Sequence, residues 1–211
     1  MGRPLPMLLL ALACAAPVRA CADNAAAMAR VEHWLDGVAA LRAGFRQTVT
    51  DREGRLVEEA EGTLAISRPG RFRWDYRVPE QLIVCDGTTL WLHDRELDQV
   101  TVRAADTLLA GTPALLLAGR SAIVAGFTIS DAGSTDGLSW SVLQPRVAGD
   151  FREVRLGFSA RGLERMRLTD RLGQVTELVL AELERNPQLE PALFRFTPPP
   201  GVDVIGRAPG G

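Results

Sequence analysis

From Arg71 to Val78 every second residue is apolar. Phe72, Trp74, Tyr76 and Val78 alternate with Arg71, Arg73, Asp75 and Arg77. A chain with this period is a strand with one face in oil and the other in water, which is the geometry of an antiparallel sheet buried on a single side. The same period runs through Leu41, Ala43, Phe45, Gln47 and Val49, set against Arg42, Gly44, Arg46, Thr48 and Thr50. Further strands are expected at Leu56–Ser67, Gln81–Cys85, Leu90–His93, Gln99–Arg103, Phe127–Ser130, Leu138–Gln144, Phe151–Phe158, Leu163–Thr169 and Gln174–Glu184. Turn residues separate them, at Asp51–Gly54, Asp86–Gly87, Gly133–Gly137 and Asp170–Gly173. About eleven short antiparallel strands predict one large curled sheet or incomplete antiparallel β-barrel.

A sheet of this size must cover its apolar side, and two stretches have the pattern to do so. Met28, Val31, Leu35 and Val38 recur at helical spacing, with Gly37 as a stop. Between Ala105 and Ala125 the residues are small and aliphatic, and Thr112-Pro113 has the order of an N-cap and a first helical residue. Two short helices are expected there, around Leu108–Leu109 and Ala114–Ala118. The fold class is therefore mainly β with helices, the helices plugging the apolar concave face of the sheet. After Phe194-Arg-Phe196 the chain enters a Pro-rich tail, and residues 207–211 are expected to be flexible.

The first 22 residues read as an export signal. Arg3 supplies the positive end, and the apolar run Met7–Ala16 is too short to span a bilayer. Cleavage is expected after Ala20 or after Ala22, the second fitting the small-residue pattern better. The domain then covers residues 23–206 in an exported protein. Cys21 leaves two questions open. Val18-Arg19-Ala20-Cys21 faintly resembles a lipobox, which would tether the chain through a lipidated Cys21. If Cys21 is retained, a Cys21–Cys85 disulfide is also conceivable in an oxidising compartment. Otherwise Cys85 is a lone buried thiol.

Chemistry is hard to find. The two histidines, His33 and His93, have no partners at metal-ligand spacing, and no nucleophile elbow, dinucleotide fingerprint or Walker loop occurs. His93-Asp94 with Glu96 is a metal-ligand fragment better read as a hairpin end. No catalytic residue, metal or cofactor is expected. Formal net charge is −2 and no basic run stands out, which argues against nucleic acid as a partner. Trp34, Trp74, Trp91 and Trp140 together with the aliphatic helices read first as a hydrophobic core.

Several segments, in order along nearly the whole chain, give that interior a purpose. Arg68-Pro-Gly-Arg-Phe-Arg-Trp-Asp-Tyr76, Asp86-Gly-Thr-Thr-Leu-Trp91 and Gln99-Val100 are followed by Thr112-Pro113 before an aliphatic helix. Then come Asp170-Arg-Leu-Gly-Gln-Val-Thr176 and Phe194-Arg-Phe-Thr-Pro-Pro-Pro-Gly-Val-Asp-Val204. Together they resemble the LolA family of periplasmic lipoprotein carriers, with Cys85 and His93 as departures from its usual residues. The resemblance implies an incomplete antiparallel β-barrel with a helical lid over a hydrophobic cavity. It implies a monomeric chaperone that accepts acylated outer-membrane lipoproteins from the inner-membrane LolCDE complex. It would shield their acyl chains and deliver them to the outer-membrane acceptor LolB. It implies a lid latch in which Arg68 bonds the backbone around Leu117 and Ala118. The acyl-chain surface would comprise Leu35, Val38, Phe45, Phe72, Trp74, Trp91 and Leu116. Two alternatives remain: a lipid-anchored receptor of similar fold, and a carrier of another hydrophobic ligand.

Overall fold

The computed structural model describes residues 17–105, 117, 123 and 125–208, with side chains from Asp23 onward. Helix α1 (Pro17–Leu35) leads into β1 (Ala40–Thr50), β2 (Leu56–Ser67), β3 (Arg71–Val78), β4 (Gln81–Asp86), β5 (Thr89–Asp94) and β6 (Gln99–Ala104). The second half comprises β7 (Phe127–Thr135), β8 (Leu138–Pro145), β9 (Phe151–Ser159), β10 (Gly162–Asp170) and β11 (Val175–Arg185). A 3-10 turn at Pro191–Phe194 and a last strand, β12 (Asp203–Gly206), complete the order. The expected helices at Leu108–Leu109 and Ala114–Ala118 lie outside the described residues, as does the segment before Pro17. The backbone of α1 is continuous through both expected cleavage junctions.

All twelve strands form one sheet in the order β12-β6-β5-β4-β3-β2-β1-β11-β10-β9-β8-β7. The two ends of that order do not pair with each other, so the sheet is open. Eleven strands follow the sequence expectation closely because hairpins are local. Their turns are built by aspartates, as at Asp86, whose Oδ1 accepts from the backbone N–H of Thr88 and Thr89 at 2.9 and 2.8 Å. Asp170 does the same for Leu172 and Gln174. The twelfth strand is a correction. Residues in the supposed tail pair in parallel with β6, Val204 opposite Val100 and Ile205 opposite Thr101.

Strict alternation also fails within β3. Tyr76 pairs with Gly62, but Val78 pairs with Glu61, so Arg77 is an extra residue in β3. Such a bulge turns the following side chain to the opposite face. Val78 accordingly leaves the inner face and is 63% exposed.

Inner-face side chains of both halves form one core. Leu41, Phe45, Leu64, Ile66, Phe72 and Trp74 meet Leu143, Val154, Leu156, Met166, Leu168 and Leu178 across the curled sheet. Helix α1 adds Ala27, Val31, Trp34 and Leu35, a stripe at helical spacing, and packs against β7 and β8. Arg30 pins it there, donating to Ser141 Oγ at 2.9 Å and to Asp131 at 3.2 Å. Leu117 and Ile123, both helical and fully buried, join the same core.

The β2–β3 crossing leaves no room for a side chain at Gly62. A Cβ there would overlap the Asp75 carbonyl and come within 3.0 Å of the Phe45 ring. Gly62→Ala should therefore destabilise the fold by about 3 kcal/mol or more in urea unfolding. Gly126→Ala, which meets open space, should stay within about 0.5 kcal/mol.

Candidate functional site

An α-helix ends with backbone carbonyls that lack partners inside the helix. In α1 these are taken up by side chains from the strands on either side of β1. Arg68, just beyond β2, donates through Nη1 to the carbonyls of Leu35 at 3.2 Å and Val38 at 3.1 Å. From beyond β11, Asn186 donates through Nδ2 to Gly37 at 2.7 Å, and its Oδ1 accepts from the N–H of Ala39 and Ala40. Arg185 donates to the carbonyls of Trp34 and Asp36. Gly37 itself, at φ +66, is the left-handed residue that lets the helix stop.

The remaining donors of Arg68 reach in a different direction. Nη2 and Nε donate to the Leu117 carbonyl at 2.9 and 3.3 Å. One guanidinium thus joins the end of β2, the end of α1 and Leu117. Arginine suits the position because its planar fork presents five donors and does not deprotonate. Of the expected latch backbone, Leu117 is placed against Arg68, and Ala118 lies outside the described residues.

Leu35, Val38, Phe45, Phe72 and Trp74 all lie in the single core beneath this junction, each less than a tenth exposed. Phe45 packs against Trp74 with centroids 5.3 Å apart and edge-on against Tyr76 at 5.1 Å. Burial, with the charge of Glu58 adding to it, holds the Tyr76 phenol protonated well beyond its ordinary range. Its hydroxyl donates to Gln47 Oε1 at 3.3 Å. Leu116 lies outside the described residues.

Trp91 needs correction. It pairs with Val84 and Val102, whereas Leu90 and Leu92 on either side face the core with Cys85 and Ile83. Trp91 thus lies on the opposite face of the sheet, its ring centroid 6.3 Å from that of Phe196. There the C-terminal segment covers a second apolar patch, with Phe194 buried and His93 beneath Phe196. Trp140 is also on the outer face, under the Arg167 guanidinium. Only Trp34 and Trp74 of the four tryptophans belong to the core. Sequence reasoning missed Arg185 and Asn186 as helix caps. The Asn186-Pro187 pair, a turn marker, was the available signal.

In the fragment His93-Asp94 with Glu96, Asp94 Oδ1 is engaged by the backbone N–H of Glu96 and Leu97, the bonding of a hairpin end. Among the described residues no three His, Cys, Asp or Glu side chains cluster to hold a metal ion. Cys85 is a free thiol in the inner core, one of the two states left open by the sequence. Burial pushes its pKa up, the charge of Asp86 adding and a bond from the Gly87 backbone opposing.

The result is an open sheet whose apolar face is covered by α1 together with Leu117 and Ile123, with one side chain, Arg68, joining these parts. Comparisons with known proteins give this architecture a family. Residues 36–197 match the family model described as outer membrane lipoprotein carrier protein LolA. An outer-membrane lipoprotein carrier protein from Dechloromonas aromatica (strain RCB) is 44% identical over 87% of this chain and 89% of its own length. One from Chromobacterium violaceum is 42% identical over 96% of this chain and 98% of its own. The chain belongs to the LolA family. Among solved structures, an uncharacterized conserved protein from Thermus thermophilus shares the fold at 16% identity, with a TM-score of 0.55 over 87% of this chain and 98% of that one.

Trp91→Ala should lower stability by about 2 kcal/mol, because it uncovers the outer patch, and leave ligand binding per folded molecule unchanged. A loss of binding at full stability would return Trp91 to the interior site. The Cys85 thiol, buried and largely protonated near pH 7.5, should react with iodoacetamide at least tenfold more slowly than an unfolded control.

Proposed function

We propose that the chain is a periplasmic carrier of acylated outer-membrane lipoproteins, with residues 23–206 as its mature domain. It accepts cargo from the LolCDE complex of the inner membrane, holds the acyl chains against the inner face of the sheet and passes them to LolB at the outer membrane. It acts as a single copy and without catalysis. The observation that carries this reading is the position of Arg68. Among the described residues it is the side chain that binds both α1 and the Leu117 segment over the apolar interior.

The energetics favour a latch of this kind. Each buried methylene is worth about 0.8 kcal/mol, so three chains of about fifteen methylenes prefer an apolar site to water by roughly 35 kcal/mol. A carrier must offset most of that and still release its cargo. Leu117 and Ile123 are themselves apolar and sit in the core, so the empty protein satisfies its own interior. Loading displaces them and breaks the Arg68 bonds to Leu117. Unloading lets them return. The free energy of closing therefore works against retention of the cargo.

Arg68→Leu tests the reading. It removes every donor and keeps an apolar stem, at a cost to the closed state of about 1.5–3 kcal/mol for each charged hydrogen bond. The population of open molecules should rise at least tenfold, seen as faster alkylation of Cys85. In a reconstituted transfer assay the variant should take lipoprotein from LolCDE and pass it poorly to LolB. Loading and release both equal to wild type would remove Arg68 from the mechanism. A wild-type protein that took up no lipoprotein would overturn the carrier reading itself.

A further inference from the structure

A polar atom in the core is left without a partner among the described residues. Trp74 is 2% exposed, and its indole Nε1 is fully buried and meets no hydrogen-bond acceptor there. Trp34 Nε1 is the other such atom, but Trp34 lines a groove of about 430 Å³ beside the β9–β10 turn, among the polar side chains of Arg30, Ser139 and Ser159. Trp74 lines none of the grooves formed by the described residues. Its neighbours are apolar: Phe45 packs tilted against it, Leu64 and Ile83 pair with it across the sheet, and Leu117 and Ile123 belong to the same core.

A buried indole N–H normally finds an acceptor. A phenylalanine here would fill an apolar core without leaving a donor unpaired, so packing accounts for the ring and not for the nitrogen. We infer that Trp74 is a recognition residue whose N–H donates to the carbonyl through which an acyl chain is attached to its cargo. This rests on the carrier reading above and adds to it which chemical group of the lipid is read.

The chemistry of the ligand fits the position. A hydrocarbon chain offers no acceptor, whereas the ester at its root has a carbonyl acceptor and no donor. Trp74 lies three residues into β3 from Arg71, about 10 Å from the end of the sheet where Arg68 sits, at 3.3 Å per residue. A lipid entering past Arg68 with its chains leading would leave its linkage near that depth and its protein part at the mouth. Farther along the same inner face, Tyr76 already has an acceptor in Gln47. Trp74 is the donor without an acceptor, and it meets a ligand once the core it shares with Leu117 and Ile123 admits one.

Two synthetic lipopeptides of equal chain length, one with ester-linked and one with ether-linked chains, test this on the mature protein. Wild type should bind the ester form about tenfold more tightly than the ether form. In Trp74→Phe the two affinities should agree within about twofold, because the change in ring size affects both ligands alike. The indole N–H resonance of Trp74 in the wild-type protein should move downfield with the ester form and stay in place with the ether form. That readout does not depend on how well the variant folds. An ester preference that survives in Trp74→Phe, no preference in wild type, or an unmoved indole resonance would each overturn the inference while leaving the carrier intact. Failure of wild type to bind either lipopeptide would overturn both.

Discussion

The C-terminal end of α1 is the point on which the rest of the structure depends. Its carbonyls carry the negative end of the helix dipole and have no partners within the helix. Three side chains supply them, Arg68 from the end of β2, Arg185 from the end of β11 and Asn186 just after it. Strands β2 and β11 are the two neighbours of β1, the strand that α1 runs into. The helix is thus tied to the middle of the sheet at one end and, through Arg30, to β7 and β8 along its length. Those two attachments keep it across the concave face, where its apolar stripe closes the core.

Leaving the sheet open is what permits this arrangement. A closed barrel of twelve strands would have a fixed interior, set by strand number and tilt. Here β7 at one edge and β12 at the other are not joined, and the interior is covered by α1 with Leu117 and Ile123. The outer face compensates for the open form. Ion pairs such as Arg73–Asp75, Arg77–Glu61 and Arg167–Glu177 solvate its centre. The C-terminal segment covers β3 to β6, whose outer residues Leu82, Val84 and Val100 are apolar. That part of the sheet is therefore covered on both of its faces.

That double covering also explains which parts of the molecule were legible in its sequence. Strands β1 and β3 have one wet face, so their period of two identified the inner residues, down to Phe45, Phe72 and Trp74. Strands β4 and β5 are apolar on both sides: Leu82 and Val84 face out, Ile83 and Cys85 face in. Alternation cannot say which side is which, and Trp91 was assigned to the wrong one. The bulge at Arg77 reversed Val78 for a reason no period reveals. β12 pairs in parallel with a strand about a hundred residues earlier, a contact with no local signature. The Leu117 carbonyl as a partner of Arg68 was expected through family resemblance alone, since an arginine before Pro69 is otherwise one of 24 basic residues, and its bonds to Leu35 and Val38 were not expected.

A latch made of an arginine and neutral carbonyls differs in kind from a salt bridge. In a buried ion pair each charge depends on the other, and breaking it strands both in a poor environment. In the bonds from Arg68 to Leu35, Val38 and Leu117 only one partner is charged, and the acceptors are backbone oxygens that water can serve equally well once the interior opens. Parting them exchanges protein hydrogen bonds for hydration, at a net cost of a few kcal/mol. The guanidinium keeps its charge at every physiological pH. On the function proposed above, what decides between open and closed is then the apolar content of the interior, its own leucine and isoleucine or the chains of a guest, and the polar junction sets how far one must exceed the other.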